Sequence, residues 1–199
     1  PNIVAVHEVG ESGGIHYIAM DLVVGETLER RLERDLDLRT AMSLLWQIAD
    51  AVGHAHANGV VHRDLKPGNV MVDERGAPLV MDFGLAKMEG EFTRLTRTGA
   101  AMGTPGYMAP EQVSGDNAHL DARADVWALG VMLYRVLAGG LPFIADTPFD
   151  LFDLIVKHDP PRPSMGRKET PLSLEDVCLK ALSKEPNRRY PDAGEFAKE

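Results

Sequence analysis

The chain has 199 residues, of which 44% are hydrophobic and 26% charged, and its net charge is −9. That balance is typical of a globular domain, and the negative charge does not favour a nucleic-acid-binding surface. No apolar stretch approaches the roughly 18 residues that span a bilayer, and the first residues lack the pattern of a secretory signal.

Cys178 is the one cysteine and cannot form an internal disulfide, which fits a reducing cytosol. Its helical, apolar surroundings predict a core position rather than a reactive thiol.

The first third of the chain predicts a β-hairpin followed by a helix. The segments "NIVAVHEV" (2–9) and "IHYIAMDLV" (15–23) are rich in β-formers and are joined by "GESGG". Asp37 is a candidate N-cap for a helix with apolar residues at helical spacing, and Gly59 is its stop signal.

The rest of the chain predicts two short strands, a long loop and several helices. The strands "VMV" (70–72) and "LVM" (79–81) flank the turn "DERGAP". Residues 85–115 show little periodicity and predict a long loop, a feature that is commonly functional in compact domains. The segment 125–140 is apolar on nearly all sides and predicts a central buried helix that ends at glycines. Three further helices are predicted near 148–158, near 173–184 and from 192 onward.

The stretch "VVHRDLKPGNVMV" (60–72) carries charges in an unusual place. Arg63, Asp64 and Lys66 lie between two apolar runs, although charged side chains are rarely buried without partners. Taken alone, the stretch is also the pattern of a charged surface loop that follows a helix.

A hairpin gives this stretch a chemical interpretation. If strands 70–73 and 78–81 pair antiparallel, Asn69 and Asp82 lie side by side at the open end of the ribbon. An amide oxygen and a carboxylate together suit Mg²⁺ held partly by phosphate oxygens. With an acid and a cation just upstream, the inventory matches phosphoryl transfer, in which catalysis is mostly positioning and charge neutralisation.

Four motifs, in this order and spacing, resemble those of the eukaryotic-type protein kinases, and most closely those of bacterial serine/threonine kinases. They are "HRDLKPGN" (62–69), "DFG" (82–84), "GTPGYMAPE" (103–111) and "DARADVWALG" (121–130). The resemblance runs over nearly the whole chain and implies an α+β, protein-kinase-like fold with a mostly helical large lobe. Residues 1–23 then correspond to the last two strands and hinge of the small lobe, and residues 24–199 to the large lobe.

The resemblance implies a role for each polar residue of the opening stretch. Asp64 is similar to the catalytic base that orients the substrate hydroxyl, and Lys66 to the lysine that contacts the transferring phosphate. A lysine two places after the catalytic aspartate implies specificity for Ser/Thr rather than Tyr. Asn69 and Asp82 correspond to the two Mg²⁺ ligands.

The resemblance also implies an ATP site and a set of structural contacts. Met20 corresponds to the gatekeeper, the Asp21 carbonyl and the Val23 amide to the hinge groups that bind adenine, and Met71 to the floor beneath adenine. The implied structural contacts are His62 with Phe83, Asp125 with the loop around His62 and Arg63, and Glu111 with Arg189.

The loop that follows Asp82 contains four threonines, Thr93, Thr96, Thr98 and Thr104. The resemblance places Thr104 on the substrate side, where it helps to select Ser/Thr substrates. Thr96 and Thr98 are the candidates for activating phosphorylation, with Arg63 as the partner of the phosphate. The alternative is a threonine-rich solvated loop without a switch.

The cluster "GHAHANGVVH" resembles a zinc site only superficially. His54 and His56 are two positions apart, so on a helix they point to different sides, and no further ligands complete a four-coordinate site with them.

Two parts of the kinase pattern are absent from this sequence: the Gly-rich loop and the strand lysine that pairs with a helix glutamate. We therefore expect the sequence to be a fragment of a complete kinase rather than a natural protein without these parts. As an isolated polypeptide it is expected to bind ATP weakly and to transfer little or no phosphate.

Three functions compete at this point. The favoured one is a cytoplasmic protein serine/threonine kinase that uses ATP and Mg²⁺, acts on a protein substrate, and contacts a membrane only through segments outside this sequence. The second is a catalytically silent kinase-like scaffold, against which the intact Asp64, Lys66, Asn69 and Asp82 argue. The third is a small-molecule kinase, which "GTPGYMAPE" disfavours because this segment resembles the peptide-docking part of protein kinases.

Overall fold

The computed structural model describes residues 1–34, 36–83, 105–115, 120–167 and 169–199. The strands are β1 (Val6–Ser12), β2 (Ile15–Met20), β3 (Gly25–Thr27), β4 (Val70–Asp73) and β5 (Pro78–Val80). The helices are α1 (Leu28–Leu32), α2 (Leu38–Ala57), α3 (Pro110–Val113), α4 (Ala122–Ala138), α5 (Pro148–Lys157), α6 (Pro163–Gly166), α7 (Leu172–Ala181) and α8 (Ala193–Ala197). Small antiparallel sheets thus precede a largely helical body, which confirms the α+β class.

The first hairpin is present, but its loop is shorter than "GESGG". β1 pairs antiparallel with β2, and the ladder continues through Gly10↔Tyr17 to Ser12↔Ile15. Only Gly13 and Gly14 are left for the turn, at φ angles of +60° and +80°. Such left-handed angles at both central residues match the twist of the flanking strands, which explains why the two glycines form the turn.

The first residues of the chain do not extend β1 as the sequence predicts. The Val4 N–H donates to the Val80 carbonyl over 3.0 Å, and the Val80 N–H donates to the Asn2 carbonyl over 2.8 Å. This segment therefore lies along β5, and Val4 is buried there.

The second ribbon forms where the sequence predicts it. β4 and β5 pair antiparallel, with Val70 opposite Val80 and Val72 opposite Pro78. The Asp73 carboxylate closes the turn by accepting the N–H groups of Arg75 at 2.9 Å and Ala77 at 2.8 Å. β3 adds a third strand on the other side of β4, a short element that the sequence does not predict.

The ribbon packs on α2 through β5, and α2 in turn packs against α4. Asp37 is the N-cap of α2 and accepts the Thr40 N–H at 3.0 Å, and Gly59 just beyond its end has a φ of +75°, as predicted. The central helix α4 ends at Gly139 with a φ of +82°. Twelve buried residues, Ala124–Tyr134 and Leu137, confirm that α4 is the buried helix.

Part of the predicted loop over residues 85–115 is helical. Pro105–Tyr107 forms a 3₁₀ turn and Pro110–Val113 forms the single turn α3. Proline at the first helical position has the required φ already, and the Gln112 side chain accepts the Ala109 N–H at 2.9 Å. These local contacts order the segment without any hydrophobic periodicity.

The last three predicted helices are present as α5, α7 and α8. α5 and α7 end within three residues of the predicted ends at 158 and 184, and α8 begins one residue after the predicted start at 192. Cys178 is buried on α7, and its thiol lies 3.5 Å from the Gly130 carbonyl. Burial raises the pKa of the Cys178 thiol, in keeping with the predicted core position. Among the helices of the described residues, none combines the length and hydrophobicity needed to cross a bilayer.

Candidate active site

One buried carboxylate fixes the backbone of residues 62–69, which we call the Asp64 loop. Asp125, in the first turn of α4, is 1% exposed. Its Oδ2 accepts the His62 N–H at 2.7 Å, and its Oδ1 accepts the Arg63 N–H at 2.8 Å. Charge-assisted bonds of this kind offset the cost of burying the charge. The sequence-predicted contact between Asp125 and this loop is therefore present.

The His62 side chain connects the Asp64 loop to the end of β5. Its Nε2 donates to the Met81 carbonyl at 2.8 Å, so its Nδ1 is the acceptor for the Asp64 N–H at 3.3 Å. The His62 and Phe83 rings lie 4.8 Å apart between centroids and are tilted by 47°. Since His62 is fully buried, this contact couples the loop rigidly to the residues that flank Asp82.

Two of the predicted polar residues, Lys66 and Asn69, donate hydrogen bonds to Asp64. The Lys66 ammonium donates to Asp64 Oδ2 over 2.8 Å. The Asn69 Nδ2 donates to the Asp64 carbonyl at 2.8 Å and to Asp64 Oδ2 at 3.2 Å. Asn69 reaches this position because it closes the 3₁₀ turn Pro67–Asn69 immediately before β4.

The β4–β5 ribbon returns the chain to the same place. The Met81 N–H donates to the Asn69 carbonyl at 2.9 Å, which places Asp82 next to Asn69 along the ribbon's open end. Asp82 and Arg63 have left-handed φ angles of +59° and +66°. Such angles are uncommon outside glycine and concentrate at functional sites.

The donor set of Asn69 and Asp82 fits a hard divalent cation. Both N–H bonds of the Asn69 amide go to Asp64, which leaves Oδ1 as the atom that can act as a ligand. Asp82 is exposed, and its carboxylate provides a charged oxygen. Amide and carboxylate oxygens are ligands that Mg²⁺ accepts when phosphate and water complete its shell.

The residues expected on the nucleotide side lie along β2, the segment after it, and β4. Met20 ends β2 and, together with Phe83, lines an apolar cavity of about 300 Å³. Within the described part of the chain, neither the Asp21 carbonyl nor the Val23 amide is hydrogen-bonded, so both are available to a ligand. Met71 is half-buried in the middle of β4.

An ion pair and a hydrogen bond from two arginines tie the segment around α3 to the helical body. The Arg189 guanidinium binds the Glu111 carboxylate bidentately at 2.7 and 2.8 Å. The Arg135 guanidinium donates to Glu29 on α1 at 2.7 Å and to the Tyr107 hydroxyl at 3.0 Å. Burial raises the pKa of Tyr107, so its hydroxyl stays neutral near pH 7.

Two residues contribute to the site without being recognised as such in the sequence. The Gln112 Nε2 donates to the Arg63 carbonyl at 2.7 Å, and His56 Nε2 lies 2.8 Å from Asp125 Oδ2. Gln112 has no sequence signal beyond its position after Glu111. His56 follows Ala49 and Val52 on the apolar face of α2, and a polar residue on such a face indicates a buried partner.

Four threonines that the sequence singles out, Thr93, Thr96, Thr98 and Thr104, lie outside the described residues.

Comparison with known proteins gives the geometry a family context. The protein kinase domain family profile matches residues 1–195. The chain is 40% identical to the serine/threonine-protein kinase PknB of Mycobacterium leprae over 98% of its own length and 32% of that protein. It is 35% identical to the serine/threonine-protein kinase PrkC of Bacillus subtilis over 97% of its length and 30% of that protein. The chain thus spans about a third of the length of these curated relatives.

The Glu111–Arg189 pair provides a test of how the segment around α3 is held. The Arg189 side chain is fully buried and also donates to the carbonyls of Ser183, Arg123 and Lys184. Arg189→Ala leaves these acceptors and the carboxylate unpaired, so we expect the free energy of unfolding to fall by about 3–5 kcal/mol, measured by urea denaturation.

The neighbouring arginine is the matched control. Arg188 pairs with Glu185, and both side chains are mostly exposed, at 72% and 65%. Arg188→Ala should change the free energy of unfolding by less than about 1 kcal/mol. Equal losses from the two variants would contradict the structural role given to Arg189.

Proposed function

The chain belongs to the protein kinase domain family, and we propose that it carries the phosphotransfer site of an enzyme that moves the γ-phosphate of ATP to serine or threonine hydroxyls of proteins. The observation that supports this most directly is the grouping of Asp64, Lys66 and Asn69 in one hydrogen-bonded cluster beside Asp82. An acid, a cation and two oxygen ligands at one point are the groups that phosphoryl transfer requires.

In this proposal Asp64 orients the substrate hydroxyl and accepts its proton. The carboxylate is held by Lys66 and Asn69, and its backbone N–H is held by His62. A base fixed in this way spends little free energy on reorganisation when the hydroxyl arrives. The Lys66 ammonium has three N–H donors and uses one on Asp64, so it can also contact the transferring phosphate.

The Asn69 Oδ1 and the Asp82 carboxylate would hold Mg²⁺. When bound, the ion neutralises phosphate charge that builds up during transfer.

We further propose that residues 1–23 end in the hinge, where the Asp21 carbonyl and the Val23 amide bind the adenine edge above Met71. The remainder, residues 24–199, then provides the catalytic and protein-binding surfaces.

Selectivity for serine and threonine rests on two features. Lys66 lies two positions after Asp64, and Thr104 occurs in "GTPGYMAPE", the segment that leads into the turn at Pro105–Tyr107. The relatives are named serine/threonine-protein kinases, which supports the same substrate class for this chain.

The first test is Asp64→Asn in the full-length natural protein. The amide keeps the size and polarity of the carboxylate but cannot accept the hydroxyl proton, so kcat for Mg²⁺-ATP-dependent phosphorylation should fall by about 10²–10⁴. The assay measures ³²P transfer to a Ser- or Thr-containing protein substrate.

Asp176→Asn is the matched control, because Asp176 is exposed on α7, away from the Asp64 loop. It should retain the wild-type kcat. Wild-type turnover in Asp64→Asn would contradict the role of Asp64, and a wild type that binds ATP without any transfer would favour the scaffold interpretation.

The second test concerns the proposed activating threonines. Arg63 is exposed, and its guanidinium makes no ion pair with any other described residue, so it can bind a phosphate on Thr96 or Thr98. The double variant Thr96→Ala/Thr98→Ala should lower kcat by about tenfold or more, since one or more charge-assisted hydrogen bonds are lost.

The control is Thr93→Ala in the same loop, which should remain close to wild type. If the phosphate acts through Arg63, adding Arg63→Ala to the double variant should cause little further loss. Unchanged kcat in the double variant would count against a switch at these threonines.

A further inference from the structure

We propose that the C-terminal helix α8 helps to hold the Asp64 loop in place, and that His56 is the positioning residue that links the two. The catalytic consequence rests on the function proposed above, whereas the mechanical coupling does not.

His56 bridges two elements that are far apart in the sequence. Its Nε2 lies 2.8 Å from Asp125 Oδ2, and its Nδ1 lies 3.1 Å from the backbone nitrogen of Ala193. The side chain is 3% exposed. Asp125 is the carboxylate that holds the His62 and Arg63 N–H groups, so His56 connects α8 to the backbone of the Asp64 loop through one carboxylate.

The partners determine which nitrogen of His56 carries the proton. A backbone N–H can only donate, so Nδ1 must be the acceptor for Ala193 and Nε2 must donate to Asp125. Protonating Nδ1 would set two donors against each other. The imidazole is therefore a fixed link with a donor at one end and an acceptor at the other, which is the arrangement that orients a carboxylate.

The Ala193 N–H depends on this link. Ala193 is the first residue of α8, and the first N–H groups of a helix have no partner within it. The N-cap Asp192 accepts the Glu195 N–H at 2.9 Å, which leaves Ala193 to His56. The start of α8 is thus satisfied by a side chain from α2, and any shift of α8 changes the surroundings of His56.

Gly53 permits the close approach of α2 and α8. A Cβ atom added to Gly53 would lie 2.6 Å from the Gly194 nitrogen and 2.7 Å from its Cα. These are backbone atoms, so the helices would have to separate. Gly53 lies in the interior of α2, where glycine costs about 1 kcal/mol relative to alanine. The close approach that brings Ala193 to His56 explains why glycine is present there.

Gly53→Ala therefore moves α8 away from His56 without altering His56, Asp125 or the Asp64 loop. It also improves the helix propensity of α2, so a loss cannot be attributed to a weaker helix. Gly194→Ala is the matched control on the other side of the contact. A Cβ there meets Gly53 Cα at 3.8 Å, an ordinary contact, and Asp192 Oδ1 at 3.1 Å. The helices therefore need not separate, and only the Asp192 cap on Glu195 has to shift by a few tenths of an ångström.

The experiment measures amide hydrogen exchange at His62 and Arg63 in the full-length protein, because these two N–H groups report directly on Asp125. In Gly53→Ala their exchange should be about tenfold faster than in wild type, and in Gly194→Ala it should stay within about twofold. Wild-type protection in Gly53→Ala, or equal loss of protection in the two variants, would overturn the coupling.

His56→Phe gives a second route should Gly53→Ala fail to fold. It keeps a ring of similar size but removes both nitrogens, and it should speed exchange at His62 and Arg63 to a similar extent. Unchanged protection in this variant would also overturn the proposal.

Kinetics separate a positioning role from a purely structural one. In Gly53→Ala and His56→Phe, kcat should fall by about tenfold while KM for ATP stays within about twofold. If amide exchange is faster in these two variants but kcat is unchanged, the positioning role is overturned. A wild type without kinase activity would reject the proposed function, but the exchange measurements would still decide the coupling.

Discussion

The site depends on one buried carboxylate that binds backbone rather than side-chain charge. Asp125 projects from the start of α4 and receives the N–H groups of His62 and Arg63 together with the imidazole of His56. A buried carboxylate without such partners costs several kcal/mol, so the chain that supplies the donors is confined to one path. That confinement gives Arg63 its left-handed φ of +66° and directs the Asp64 side chain outward.

From this anchor the geometry extends to Asn69 and Asp82, the proposed metal ligands. His62 binds the Met81 carbonyl, and Met81 binds the Asn69 carbonyl, so the loop and the ribbon determine each other's position. The helices beneath contribute rigidity, whereas the side chains proposed to carry out the chemistry lie on the loop and at the ribbon end. Lys66 and Asp64 remain accessible at 22% and 40% exposure, as groups that meet a substrate must.

Much of this arrangement could be predicted from the sequence because it is local. The ribbon of β4 and β5 has its turn residues between two short apolar runs, and its pairing alone brings Asn69 and Asp82 together. Asp37 and the glycines after α2 and α4 are likewise local signals. The motif resemblance implies that Asp125 contacts the loop around His62 and Arg63, which no spacing rule supplies.

The features that could not be predicted depend on tertiary contacts. β3 and α1 have three and five residues, too few for any periodicity to register. Residues 2–4 run along β5 rather than extending β1 because Val4 is buried there. The sequence does not indicate the role of His56, since its partners, Asp125 and Ala193, are 69 and 137 residues away along the chain.

The most direct test of the central claim is the turnover of Asp125→Asn in the full-length protein, with native folding verified by near-UV circular dichroism. The amide replaces one acceptor oxygen with a donor that faces a backbone N–H or the His56 imidazole, so the Asp64 loop loses its anchor. The account predicts a folded variant whose kcat is lower by about 10² or more. Wild-type kcat in a folded Asp125→Asn protein would contradict it.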